Sequence, residues 1–189
     1  DKEISKDIDL LISQTKRCSE ILKQISKKQI KEDVFLSSIK FEDLLEEIIN
    51  SFKETSSKEI DLDSEDDKNK INIERTPEII YGLRNFIGNA VKFSKSKVKI
   101  NLKSDSQKIE IKINDDGPGI PDDVIDKIGE PYIKSKSTEL NLNSGLGLGT
   151  FLGKTLLERQ GAILSFKKNN GLGGALIIIN WETKKLINF

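Results

Sequence analysis

The sequence predicts an α+β chain: a two-layer α/β sandwich of helices on a mixed sheet, preceded by one long helix that needs a partner. Three observations carry that expectation. Apolar residues recur at helical spacing in separated stretches. Two neighbouring stretches alternate apolar and charged residues on either side of a short turn. The opening residues hold a heptad seam.

In the opening stretch Ile4, Ile8, Leu11, Thr15, Cys18, Leu22 and Ile25 recur in alternating steps of four and three, the a/d spacing of a helix that meets a partner. Ile12 and Ile21 widen the stripe. One helix cannot bury such a seam by itself, so a partner helix is expected, from a preceding segment or from a second copy of the chain. The polar stretch from Ser26 to Asp33 marks a boundary, with residues 1–30 as a helical domain and 31–189 as the second. Phe41, Leu44, Leu45, Ile48, Ile49 and Phe52 form the next helical stripe. Residues 59–62 and 70–75 read as short strands around an acidic turn. Thr76-Pro77 then offers a capping hydroxyl and a first-turn proline for a helix reaching about Ser94. Segments 97–104 and 107–115 alternate as a hairpin closed at Asp105-Ser106. A short helix is expected at 121–129. Residues 130–144, rich in Lys, Ser, Thr and Asn, read as a mobile loop. A helix from about Leu148 to Gln160 and strands near 162–168 and 174–182 complete the order.

The 189 residues suffice for one full core and a smaller appendage. Lys+Arg and Asp+Glu balance at 31 each, so no net field points to nucleic acid or a membrane surface. No apolar run approaches the roughly 20 residues that cross a bilayer, and no secretory pattern opens the chain. One cysteine excludes an internal disulfide framework and suggests a reducing compartment. The absence of methionine leads us to expect a piece of a longer protein. The absence of histidine means that any imidazole chemistry must draw on another segment.

Three motifs carry chemistry. Asn85 and Asn89 lie one turn apart on one helix face, with Lys92 on the same side. Amide oxygens are hard, neutral ligands suited to Mg²⁺, and a lysine supplies a point charge for phosphate oxygens. Asparagine is a poor interior helix residue, so two of them amid Phe86, Ile87 and Val91 need a reason; local hydrogen bonding is the competing one. Asp115 ends a strand where DDGPGI turns the chain. Its carboxylate can accept from the exocyclic amine of adenine, while Gly117 and Gly119 let backbone approach the ring; an ordinary Asp-Gly turn explains the same letters. Gly145, Gly147 and Gly149, with Leu146 and Leu148 between them, run directly into a helix. Bare amides at a positive helix end suit a triphosphate, and a glycine-rich hinge is the alternative. The pattern is neither a P-loop nor a dinucleotide fingerprint. Taken together, the three motifs point to ATP with Mg²⁺.

In that order NxxxNAxKF, DxGxG and GxGxG resemble the N, G1 and G2 boxes of the ATP-binding domain of sensor histidine kinases. GEPYIKSK at 129–136 resembles the intervening F box, with Tyr132 where that family usually has phenylalanine. The resemblance covers about residues 35–182. It implies the histidine kinase/Hsp90-like ATP-binding fold, Asn89 as metal ligand, Asp115 as adenine reader and residues 130–144 as a lid. DIDLLISQTKRCSEIL (7–22), GLGLGTFLGKTLLERQGA (145–162) and GALIIINW (174–181) resemble a narrower branch, the RegB/PrrB redox-responsive kinases. That implies that the helix bearing Cys18 is the second of a dimerisation and phosphoacceptor hairpin. The phosphorylated histidine would lie on a first helix outside this chain, in a homodimer that serves a response regulator. It also implies the cytoplasmic part of a bacterial inner-membrane protein. One departure is Ala175, where many such kinases have a hydroxyl that helps hold the adenine; a water or another group would have to cover that contact.

ATP hydrolases of the gyrase, Hsp90 and MutL type carry a glutamate four residues before the metal asparagine. Here that position is Asn85, and an amide cannot accept a proton at neutral pH. The sequence therefore reads as a kinase domain that transfers the γ-phosphoryl group to a histidine outside the chain. Asn85 and Lys92 are its candidate catalytic residues, acting by positioning and charge neutralisation. An ATPase of the gyrase type, or a nucleotide-binding or dimerisation module without chemistry, are the alternatives. Cys18 also has two readings. Lys16 and Arg17 favour its thiolate, and a two-fold axis would bring it to its twin, whereas a bundle core takes cysteine simply as a small hydrophobe. Non-reducing electrophoresis under oxidant separates them: a dimer band lost in Cys18→Ser supports sensing, and an unreactive thiol supports packing.

Overall fold

The computed structural model describes residues 38–66, 71–131, 133, 148–168 and 171–187, all within one compact unit, Ser38–Phe189. The long helix expected over residues 1–30, and Cys18 with it, lies outside the described residues. The elements run β1 (Ser38–Lys40), α1 (Phe41–Lys53), β2 (Glu59–Asp66), β3 (Asn72–Glu74), α2 (Pro77–Phe93), β4 (Lys97–Ser104) and β5 (Lys108–Asp115). A 3₁₀ turn at Ile125–Lys127 follows, then α3 (Leu148–Arg159), β6 (Ile163–Lys168), β7 (Ala175–Glu182) and α4 (Thr183–Leu186).

Five strands form one mixed sheet in the order β2-β4-β5-β7-β6, with β2 parallel to β4 and the other pairs antiparallel. Strand alternation sorts its two faces. Val98, Ile100 and Leu102 of β4 share the inner face with Ile109, Ile111 and Ile113 of β5, and with Ile177, Ile179 and Trp181 of β7. Against this face pack the apolar stripes of α1 (Phe41, Leu44, Leu45, Ile48, Ile49) and α2 (Ile79, Leu83, Phe86, Ile87, Ala90). Aromatic contacts join the layers: Phe41 meets Trp181 edge-on at 5.8 Å between ring centroids, and Phe86 meets Phe166 at 6.0 Å. Each fully buried Leu, Ile or Phe contributes roughly 1.5–3 kcal/mol, which makes this single core the main stabilising term.

Sequence cues fix several element ends. Thr76 Oγ1 accepts from the Ile79 N–H at 3.3 Å, and Pro77 follows it as the first helical residue. Asp105 closes the β4–β5 hairpin by accepting from the N–H groups of Gln107 and Lys108, both at 2.7 Å. Lys58 Nζ donates to the carbonyls of Val91, Lys92 and Ser94, satisfying the exposed end of α2.

Three expectations change. The acidic stretch after residue 62 is not a turn at first: β2 continues to Asp66. Its carboxylates find a lysine-bearing neighbour, with Lys97 on Glu59 and Asp61, Lys99 on Asp63 and Lys103 on Glu65. Charges also protect this edge strand from pairing with another chain. The second short strand, read at 70–75, is Asn72–Glu74, and it pairs with β1, a strand that carries no period long enough to read. At 121–129 only the 3₁₀ turn forms, because Asp122, Asp123, Asp126 and Lys127 leave too little apolar surface to hold a longer helix. Most of the loop read at 130–144 lies outside the described residues. Among the described residues no helix is long and apolar enough to cross a membrane.

Ile111 is fully buried in the central strand. Ile111→Ala should cost about 2–5 kcal/mol, read as a lower urea midpoint with an unchanged slope. A loss below about 1 kcal/mol would contradict a close-packed core at this strand.

Candidate nucleotide site

The candidate residues gather around α2. On one side lies α3, which runs antiparallel to it and close. A Cβ at Gly82 would overlap Leu157, and one at Gly153 would stand 3.0 Å from Asn85 Cβ and 3.1 Å from the Phe86 ring. Small residues on both helices thus permit the approach, and the polar face of α2 is laid along the start of α3. Asn85 donates from Nδ2 to its own helix at Tyr81 O, 2.8 Å away, and its Oδ1 lies 3.3 Å from where a Cβ on Gly149 would sit. One turn further on, Asn89 donates from Nδ2 to Thr150 Oγ1 at 3.2 Å. Both side chains are half-buried. Leu148 and Gly149 occupy the first turn of α3, where N–H groups have no partner within the helix and the dipole is positive. Gly145, Leu146 and Gly147 lie outside the described residues. Lys92 is exposed, with its ammonium 5.3 Å from the centroid of the Phe93 ring.

On the other side the end of α2 meets the turn after β5. Asp115 closes β5 at 4 % exposure. Its Oδ1 accepts from the Gly117 N–H at 2.9 Å and from the Ala175 N–H at 3.1 Å. Burial pushes the Asp115 carboxyl above the ordinary aspartate range and the neighbouring Asp116 adds to this, while those two N–H groups and Lys58 oppose it. Gly117 is forced: a Cβ there would run into the Phe93 carbonyl oxygen. Gly119 has φ +79°, a left-handed conformation that favours glycine, and lies against the Gly174 carbonyl. Asp116 ties the turn down by accepting from the N–H of Lys95 and from the N–H and hydroxyl of Ser96. Desolvation pushes its carboxyl up, but the bonds from Ser96, Lys97 and Lys95 prevail and hold it far below the usual range.

Of the residues singled out in the sequence, Asn85, Asn89 and Lys92 lie on α2, Gly149 and Gly117 approach it, Asp115 and Gly119 belong to the turn that contains Gly117, and Leu148 precedes Gly149 at the start of α3. Sequence reading missed Gly174, where a Cβ would collide with the Asp115 carboxylate and the Gly117 nitrogen. It missed Thr150 and Lys58 as well. Their partners lie 61 residues and more than 30 residues away, beyond any local pattern. For Gly174 the only signal was a doubled glycine before a strand, which also reads as a plain turn.

A family model described as histidine kinase-, DNA gyrase B- and HSP90-like ATPase matches residues 74–183, more than half of the chain and all of this site except Lys58. The chain belongs to that family. It is 36% identical over 96% of its length to the sensor histidine kinase RegB of Cereibacter sphaeroides, and it spans 43% of that relative. Solved structures with the same fold include full-length ShkA in complex with AMPPNP (TM-score 0.64, 22% identity, 77% of this chain and 30% of that one). The catalytic domain of histidine kinase ThkA is another (TM-score 0.60, 24% identity, 78% and 97%). The family's ATP-binding fold is therefore the frame in which Asn89, Asp115 and the start of α3 stand together.

The two aspartates should respond oppositely to acid. The depressed carboxyl of Asp116 contributes stability that is fully present above the ordinary value of 3.8 and is lost as pH falls through its lower folded value. The raised Asp115 opposes folding when ionised, and that penalty is relieved as pH falls through its folded value. Urea midpoints taken from neutral pH downward should fall less steeply below 3.8 in Asp116→Asn than in the parent chain. Parallel profiles would rule out this role for Asp116.

Proposed function

We propose that residues 31–189 are the ATP-binding catalytic domain of a sensor histidine kinase, and that residues 1–30 are the second helix of its dimerisation and phosphoacceptor hairpin. The observation that carries the reading is Asp115, a buried carboxylate whose Oδ1 is fixed by two backbone donors at the edge of α2. A carboxylate held this way can accept from the exocyclic amine of adenine in a fixed direction. Gly117, Gly119 and Gly174 keep backbone, rather than side chains, around that position. Ala175 contributes its N–H to Asp115 where a hydroxyl would reach the base directly.

The residues present also fit a divalent cation that arrives with the nucleotide. With Nδ2 of Asn89 engaged by Thr150, its remaining polar atom is the hard oxygen that Mg²⁺ prefers. Bound Mg²⁺ would neutralise charge on the phosphates as it builds up during transfer. Gly145, Leu146, Gly147, Leu148 and Gly149 would offer backbone N–H groups to the phosphates, and Lys92 a mobile positive charge.

Asn85 decides between transfer and hydrolysis. It donates to Tyr81 O and cannot take a proton from water, so nothing at that position activates a water molecule. The γ-phosphorus would instead be attacked by an imidazole nitrogen of the missing helix, breaking the bond to the β–γ bridging oxygen and releasing ADP. On this reading the full protein is a homodimer on the cytoplasmic side of a bacterial inner membrane, passing the phosphoryl group to a response regulator. Redox control through Cys18 belongs to the same proposal and is supported by the likeness of residues 7–22 to the redox-responsive branch.

Calorimetry with Mg-AMPPNP should detect binding, weakened at least about tenfold by Asn89→Ala and by Asp115→Ala, since each removes a contact worth ~1.4 kcal/mol or more. No heat in the parent chain, together with no effect of either substitution, would overturn the proposal. With ATP and a separately made first-helix peptide, phosphohistidine should appear on the peptide. Steady hydrolysis without transfer would favour the gyrase-type ATPase.

A further inference from the structure

An asparagine amide has two chemically opposite ends, a nitrogen that only donates and an oxygen that only accepts, and only the oxygen can bind a hard cation. The torsion that exchanges them is broad and roughly two-fold, so an untethered amide presents either end. Asn85 resolves this within its own helix, through the bond from Nδ2 to Tyr81 O. Asn89 is held from outside instead. Its Nδ2 donates to Thr150 Oγ1, on another element 61 residues further along the chain. Thr150 is in the first turn of α3, directly after the last glycine of the glycine-rich element. Its hydroxyl is well placed to act as a fixed acceptor. The close approach at Gly82 and Gly153 sets the spacing of α3 from α2, and the Thr150 side chain has the restricted rotamers of a β-branched residue.

We propose that Thr150 is a positioning residue for the metal-binding amide. By accepting from Nδ2 it keeps Asn89 Oδ1 turned toward a divalent cation that accompanies the nucleotide, and it couples the phosphate-side helix start to the metal. The inference rests on the reading of Asn89 as the metal ligand, and extends it to a residue that acts on the metal through Asn89.

The test compares Thr150→Val, which keeps the shape and removes the hydroxyl, with Thr150→Ser, which keeps the hydroxyl. Mn²⁺ affinity is measured by electron paramagnetic resonance at saturating AMPPNP, and AMPPNP affinity by calorimetry in Mg²⁺ and in EDTA. Thr150→Val should weaken metal binding about 10–100-fold, as loss of an outer-sphere partner does, and should leave metal-free nucleotide affinity unchanged. Thr150→Ser should recover most of the metal affinity. Thr150→Ala serves the same purpose as Thr150→Val should the valine distort α3. Parent-like metal affinity in the valine or alanine variant would overturn the inference. So would an equal loss with and without metal, which would mark Thr150 as packing only. Asn89→Ala separates the two levels of failure. If it weakens metal binding and Thr150→Val does not, the positioning role alone falls; if neither changes metal affinity, Asn89 is not the ligand.

Discussion

Asp115 is buried where the central strand β5 ends, and a carboxylate withdrawn from water costs several kcal/mol unless hydrogen-bond donors replace the lost hydration. Two backbone N–H groups supply part of that compensation, from Gly117 two residues on and from Ala175 across the sheet. For both to reach one oxygen the chain must pass very close on two sides, and Cβ atoms at 117 or 174 would occupy the space. The requirement then spreads outward. Gly117 can lie against Phe93 only if the end of α2 is held in place, and Lys58 and Asp116 hold that end and the connector after it. One buried oxygen thus fixes a turn, a helix terminus and the start of β7 together.

The second constraint is the α2–α3 pair, and it works by omission. Gly82, Gly149 and Gly153 remove side chains where the helices approach, so polar residues of α2 meet the first turn of α3 instead of being held apart by apolar bulk. A helix start exposes unpaired N–H groups, and an amide at the neighbouring rung exposes an oxygen. On the proposed reading, placing the two side by side joins an anion-binding feature to a cation-binding one, the combination that a metal-bound polyphosphate requires. The apolar faces of α2 and the sheet supply the stability that lets these polar groups be arranged for binding.

Much of the fold was legible because it is written at short range. The stripe of α1, the Thr76-Pro77 start of α2 and the alternation of β4 and β5 each depend on residues within a few positions, and each stands as the periodicity predicts. The continuation of β2 was not legible, because Asp63, Glu65 and Asp66 look like a turn until Lys99 and Lys103 are known to lie beside them. Asp115 stood out in DDGPGI, whereas Gly174 did not; its role depends on a strand neighbour 59 positions away. Thr150 follows three conspicuous glycines and looks like an ordinary helix residue, although its hydroxyl meets Asn89. Local patterns disclose which groups carry chemistry. The residues that aim those groups become visible only when distant segments are seen in contact.

The chemistry implied by these groups is lopsided in an informative way. On the proposed reading the candidate groups around α2 bind or neutralise: a carboxylate for a base amine, an amide oxygen for a cation, and helix N–H groups for phosphates. The position four residues before Asn89, where the gyrase-type hydrolases carry a glutamate, holds Asn85, whose N–H is committed to Tyr81 O. General-base assistance commonly supplies a factor of about 10²–10⁴, so on the proposed reading an amide at this position would leave the attack of water slow while charge neutralisation of the phosphates would still lower the barrier for another nucleophile. An imidazole needs no such help at neutral pH, since much of it is already unprotonated. On this reading the site gains its selectivity for transfer over hydrolysis from a missing proton acceptor. The nucleophile must then be delivered by another segment, and its delivery becomes the step at which a signal can act.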